Sequence, residues 1–219
     1  MAKHVLRQID LLKERIRSVG GLVEAAISDA IKAFSDRDAA AARTVLRRDA
    51  EIDRLEVEVE EECLKILTLY QPAAGDLRFV IAVLKINNDL ERTGDLAANI
   101  AKRVLFLVER PAPDVDVDFR LMAVRAQGML QNSLEALVKA DVNQAYEVRR
   151  SDDILDAMRR EFHQQIRAVI RQMPDQTEPL LKLYAIAKHL ERIGDMAASI
   201  AADVIYMVNG DIVRHLEED

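Results

Sequence analysis

Four pairs of acidic residues share one spacing, acid-x-x-x-acid: Asp49/Asp53, Glu91/Asp95, Asp152/Asp156 and Glu191/Asp195. On a helix, residues four apart stand on the same face about one turn from each other. Two like charges so placed repel by roughly a few tenths of a kcal/mol unless a cation sits between them. Carboxylate oxygens are hard donors that suit Mg²⁺, Ca²⁺, Mn²⁺ or iron, and several together can bridge more than one ion. In the first half of the chain Asp49, Asp53, Glu56 and Glu60 form a continuous acidic stripe beside the apolar stripe of Ile52, Val59, Cys63 and Tyr70. In the second half Arg159 stands at the Glu56 position and His163 at the Glu60 position. The competing reading is a solvated face neutralised by Arg47, Arg48, Arg54 and Arg92. Recurrence of the pairs at equivalent positions favours metal binding.

The elements that must position these acids are long helices. The 219 residues are half apolar and only 4% aromatic, with seven Gly, five Pro and no Trp, a composition that favours helix over sheet. Breaks fall at Gln71–Asp76, Glu109–Asp114 and Met173–Pro179, with weaker turn signals at Ser35-Asp36 and near Asp141. Between them apolar residues recur at steps of three and four, as in Val83, Leu84, Leu90, Ala97, Ile100, Ala101, Val104 and Val108. This predicts six helices, at about 5–34, 38–70, 77–108, 116–139, 141–172 and 177–208. Short connections between long amphipathic helices make sequential neighbours antiparallel.

The chain is an internal duplication. Leu90-Glu91-Arg92-Thr93-Gly94-Asp95-Leu96-Ala97-Ala98-Asn99-Ile100-Ala101 matches Leu190-Glu191-Arg192-Ile193-Gly194-Asp195-Met196-Ala197-Ala198-Ser199-Ile200-Ala201, an offset of 100 residues. Earlier the offset is 103, with Asp38, Ala42, Asp49 and Asp53 matching Asp141, Ala145, Asp152 and Asp156. The second copy is therefore shorter by three residues between its second and third helices. The fold class is all-α: two tandem antiparallel three-helix bundles, over residues 1–110 and 115–219. Within each copy one acid pair lies on the second helix and the other on the third. Folding these helices antiparallel brings the four carboxylates to within a turn of the same level.

Gly94 and Gly194 each stand between the two acids of a third-helix pair, where a mid-helix Gly costs about 1 kcal/mol relative to Ala. Close helix packing is the favoured reason, and backbone approach to a site is the other. Cys63, the single cysteine, excludes an intrachain disulfide and reads as a small core residue. The four histidines are His4, His163, His189 and His215. His189 replaces Asp89 two residues before the repeated Glu, which makes it a bundle residue or a ligand in copy two. None of the four has Glu three residues before it, so the Glu-x-x-His pairing of di-iron bundles is absent. There is no Gly-rich phosphate loop, Cys/His cluster or Ser/His/Asp order. A net charge of −7 argues against nucleic acid as the main partner. No segment has the length of a membrane span and the first ten residues lack an apolar signal core, so the expected compartment is the cytoplasm, with membranes reached through partners.

The repeated Leu-Glu-Arg-x-Gly-Asp segments, together with Asn87-Asn88-Asp89 and Lys188-His189 before them, resemble the two signature segments of the PhoU family of phosphate-signalling regulators. Gln71-Pro72-Ala73-Ala74-Gly75-Asp76-Leu77-Arg78 and Val208-Asn209-Gly210-Asp211-Ile212-Val213-Arg214-His215 are similar to that family's central turn and C-terminus. The resemblance implies a duplicated three-helix bundle, a homodimer, and metal clusters held by the acid-x-x-x-acid motifs. The implied ligands are Asp49, Asp53, Glu91, Asp95, Asp152, Asp156, Glu191 and Asp195, and the implied cofactors are divalent or trivalent ions such as iron, Mn, Mg or Zn. It also implies a non-enzymatic negative regulator of phosphate uptake and starvation signalling, linking the phosphate importer's ATPase subunit to a sensor histidine kinase. Two departures from the family pattern stand out: Thr93 where Ile is commoner, and Arg159 among the acids of copy two. The same acids read without the resemblance would also serve a carboxylate metalloenzyme or phosphatase, or a purely structural adaptor.

Overall fold

The computed structural model describes residues 2–112 and 119–213, with side chains from Val5 onward. Six helices follow in order: α1 (Ala2–Ser35), α2 (Ala39–Tyr70), α3 (Ala74–Val108), α4 (Phe119–Lys139), α5 (Val142–Gln172) and α6 (Thr177–Asn209). A short 3-10 turn at Pro174–Gln176 leads into α6. The expected helices are all present within a few residues of the predicted bounds. The predicted start of the fourth helix, at 116–118, lies outside the described residues, as do His215 and the Pro113-Asp114 end of the inter-copy break.

The duplication extends to how the helices begin. Asp38 accepts hydrogen bonds from the backbone N–H of Ala40 at 2.7 Å and Ala41 at 3.0 Å. Asp141, its repeat partner, accepts from Asn143 at 3.0 Å and Gln144 at 3.1 Å. Each satisfies backbone donors that a helix start leaves without partners. The residues just before these turns, Arg37 (φ 53°) and Ala140 (φ 52°), are both left-handed, so the tight reversal between first and second helices is the same in both copies. The three-residue shortfall of copy two falls at the start of its third helix, since α6 begins 14 residues before Glu191 where α3 begins 17 before Glu91. Copy one connects through Gln71–Ala73, whereas Met173 alone separates α5 from the 3-10 turn. Pro179 sits in the first turn of α6, where its missing N–H costs nothing.

Copy one packs α1, α2 and α3 together, and copy two packs α4, α5 and α6. The third helices form the seam between the copies, where α3 and α6 make the most extensive contact in the molecule. They run antiparallel, tied by Ser199 Oγ donating to Asp89 at 2.7 Å and by Lys85 Nζ 3.5 Å from Asp203. Both acids are almost wholly buried. This register sets Gly94 level with Gly194. Around the seam Ile86, Leu90, Ile100, Leu130, Ile186 and Leu180 have no more than trace solvent exposure. Cys63 is fully buried, and burial pushes its thiol up to about 12, as a core residue requires. At one end of the α1–α4 contact Phe34 and Phe119 meet edge to face at 5.1 Å.

The two caps make a paired test of the duplication. Asp38→Ala and Asp141→Ala should each lower stability by about 1 kcal/mol, additively, in chemical denaturation.

Candidate metal centre

Helices α2 and α3 meet so that a Cβ built on Gly94 would stand 3.1 Å from Cδ1 of Ile52. Asn87 on α3 donates to the backbone carbonyl of Glu56 on α2 at 2.9 Å, which locks the same register. Asp49 of α2 then lies level with Asp95 of α3, and Asp53 with Glu91. The electrostatics report the same pairing. Burial raises the Asp49 carboxyl, and the neighbouring charges of Asp95 and Asp53 raise it further, with Lys102 opposing. Glu91 is raised by burial, then by Asp95, Asp53 and Glu56, against Arg92. Glu56 is raised by burial, Glu60 and Asp53.

The arginines that would make this face an ordinary solvated surface mostly point elsewhere. Arg48 pairs with Asp29 of α1 at 2.7 Å, Arg54 pairs with Glu58, and Arg47 donates to the Thr44 hydroxyl at 2.8 Å. Of the four considered from sequence, only Arg92 acts on the cluster.

Copy two repeats the geometry with tighter burial. A Cβ on Gly194 would lie 2.5 Å from Cδ2 of Leu155 and 3.3 Å from Oδ1 of Asp152. Close packing is thus the structural role of both glycines, and Gly194 also brings the α6 backbone against an acid of the site. Asp152 and Asp195 are each pushed up to about 6, chiefly by burial and then by neighbouring carboxylates: Asp156, Asp153 and Glu191 for Asp152, and Asp152 and Asp156 for Asp195. Glu191 is raised by burial and Asp195, opposed by Arg159. Arg159 has its Nε 2.8 Å from Oε1 of Glu191, with the two side chains 25% and 14% exposed. The Nε–H is not aligned for a hydrogen bond to that oxygen, so the contact is one of charge. Tyr184 of α6 lies beside the same guanidinium.

The structure therefore draws the eight acids into two clusters: Asp49, Asp53, Glu91 and Asp95 between α2 and α3, and Asp152, Asp156, Glu191 and Asp195 between α5 and α6. Among the described residues no three His, Cys, Asp or Glu side chains yet stand close enough to hold one ion. A cation would draw these side chains together over backbones already in register. Copy one fits that chemistry, with oxygen donors only and mutual repulsion that a hard cation would relieve. Copy two offers the same donors with one of them already paired to a guanidinium.

His189 is not brought into the copy-two cluster. Two residues is more than half a helical turn, so it faces away from Glu191, toward Arg103 of α3. Its ring nitrogens are buried without hydrogen-bond partners, and burial, Arg103, Arg192 and Lys188 hold it down at about 4. His163 lies against the ring of Tyr184, with centroids 4.9 Å apart and the planes tilted by 35°. The buried polar ties of the seam, Asp89–Ser199 and Lys85–Asp203, escaped the sequence reading. Polar residues at apolar-rhythm positions were the available signal, but which helix they would meet was not. A groove of about 760 Å³ between α1 and α4, walled by Ile9, Ile16, Phe79, Leu134, Val138 and Met207, contains none of the eight acids.

With this geometry in view, comparison with known proteins is decisive. The family model described as PhoU domain matches the chain twice, over residues 16–104 and 119–204. The chain belongs to the PhoU family. It is 36% identical, across 99% of its length and 91% of the relative's, to the phosphate-specific transport system accessory protein PhoU homolog of Pseudomonas aeruginosa. It is 33% identical to the Aquifex aeolicus homolog of the same description, with 96% of each chain covered. The crystal structure of PhoU from Pseudomonas aeruginosa superposes with a TM-score of 0.91 at 33% identity, over 94% of this chain and 99% of that one. A PhoU described as a phosphate transport system regulatory protein, from Streptococcus pneumoniae, gives 0.85 at 28% identity, over 95% and 99%. These PhoU relatives carry the names of accessory and regulatory proteins rather than of enzymes. Both family matches span the second and third helices of their copy, so each PhoU domain contains one complete carboxylate cluster.

Two outcomes follow from this packing and charge. Carboxyls raised in the folded state bind protons that the unfolded chain releases, so their burial and mutual repulsion cost stability from about pH 4 upward and in full above about pH 6. The melting temperature of chelator-treated protein should thus rise as pH falls from 7.5 to 5, by about 2–4 °C for each kcal/mol relieved. Gly194→Ala should lower stability by about 1 kcal/mol, because overpacking against fully buried Leu155 exceeds the gain in helix propensity. Gly94→Ala, facing Ile52 at a looser distance, should be near neutral in the same denaturation assay.

Proposed function

We propose that this chain is a negative regulator of phosphate uptake and phosphate-starvation signalling. In this reading it is a metal-binding adaptor between the ATPase subunit of a phosphate importer and a sensor histidine kinase. The observation that carries the role is the match, over nearly the whole chain and in both copies, to phosphate-specific transport system accessory proteins. Metal binding is supported by the two sets of four carboxylates held level across helix pairs, with burial and mutual repulsion keeping their proton affinity high. Iron, Mn, Mg or Zn would be bound through carboxylate oxygens and would lower that repulsion.

The adaptor acts without catalysis, as a homodimer in the cytoplasm, and meets membranes through its partners. No helix among the described residues is long and apolar enough to cross a membrane. The net charge of −7 suits a protein partner better than nucleic acid.

The test is a phosphate-responsive alkaline phosphatase reporter in cells lacking the gene, grown in abundant phosphate. Reporter activity should be high and return to low when the intact protein is supplied. Equal activity with and without the protein would sink the regulatory role. In purified protein, Glu91→Ala with Asp95→Ala should remove metal from copy one while far-UV circular dichroism stays unchanged. Loss of helicity instead would assign these acids a structural duty.

A further inference from the structure

The two copies descend from one unit and hold their acids at the same level, yet they differ in charge at the heart of the cluster. Copy one has Glu56 there, an acid whose neighbours are Glu60 and Asp53. Copy two has Arg159, whose Nε lies 2.8 Å from Glu191. Glu191 is the repeat partner of Glu91, which in copy one faces Asp53 and Glu56 with no guanidinium from α2. Arg159 projects from α5 and Glu191 from α6, so the ion pair bridges the two helices that hold the copy-two acids. Tyr184, also on α6, lies beside the same guanidinium. The arginine thus has partners on the facing helix, unlike Arg54, which is paired with Glu58 within α2.

A cation inside an acidic cluster does what a bound metal ion would do: it offsets like-charge repulsion between facing helices. A guanidinium supplies one charge and donates only, so a donor atom it occupies is withdrawn from any ion that follows. We propose that Arg159 is the resident cation of copy two, a built-in substitute for metal that clips α5 to α6 and leaves copy one as the copy open to an added ion. This rests on the metal-binding reading above for copy one only; the clip itself belongs to the metal-free chain.

The experiment uses the full chain, stripped with chelator, and Mn²⁺ as the probe. Bound manganese per chain is measured by elemental analysis after gel filtration, and the melting temperature is read on the same samples with and without Mn²⁺. Uptake by the native chain should be lost with Glu91→Gln plus Asp95→Asn and retained with Glu191→Gln plus Asp195→Asn. Arg159→Glu, which restores the copy-one pattern, should increase uptake toward twofold. Glu56→Arg, which imposes the copy-two pattern on copy one, should suppress it. In chelator, Arg159→Gln should lower the melting temperature and Glu56→Gln should not.

Equal loss of manganese from the copy-one and copy-two acid variants would overturn the proposal, as would an Arg159→Gln protein that melts like the native one in chelator. Absence of uptake by every variant would overturn the openness of copy one and the metal reading together. A fall in the metal-free melting temperature of Arg159→Gln would then still establish the arginine clip. The two failures are therefore told apart within one set of samples.

Discussion

The antiparallel seam between α3 and α6 is the interaction on which the remaining geometry depends. These helices make the most extensive contact among the described elements, and both carry buried residues along most of their length. Apolar packing alone leaves the axial position of one long helix against another weakly specified. Here two polar ties to buried acids, Asp89–Ser199 and Lys85–Asp203, define it, since sliding either helix would break both. Once the seam is set, each third helix presents its Glu-x-x-x-Asp pair outward to the second helix of its own copy. The glycine between those acids lets Ile52 or Leu155 approach, so the facing pairs meet at one level.

Duplication followed by divergence explains the uneven result. Features that hold the backbone are kept in both copies: the Asp caps, the left-handed residues before them and the mid-helix glycines. Features that set local charge are not. Copy one retains a continuous acidic stripe on α2, whereas α5 carries Arg159 and His163 at the corresponding places. Copy two is also more enclosed, with all four of its acids partly shielded, while Asp53 and Asp95 of copy one are exposed. The steeper burial raises Asp152 and Asp195 to about 6, and it is there that an arginine of the second helix pairs with an acid of the third. Desolvation makes an unpaired carboxylate expensive, so the more buried cluster has more to gain from an internal partner.

Much of this was open to a reading of the residues. Breaks at Pro72, Pro111 and Pro174, turn signals at Ser35-Asp36 and near Asp141, and steps of three and four between them determined six helices. Two ordered offsets determined the duplication, and with it the antiparallel opposition of second and third helices. That opposition is why the eight acids could be assigned to two clusters from spacing alone. Periodicity also marked Cys63 as core.

What only the tertiary structure decided is which charges meet. Arg47, Arg48 and Arg54 lie within reach of the acids by sequence, but long side chains choose among partners on neighbouring helices, and they are held by Thr44, Asp29 and Glu58 instead. Arg159 looked like a dilution of the copy-two acids, and packing made it their ion-pair partner. His189, two residues from Glu191, was turned by the helical twist toward Arg103 and out of the cluster. A helix's own residues specify its faces through local periodicity. The identity and distance of what stands opposite depend on axial register between helices far apart in the chain, and that is set by packing.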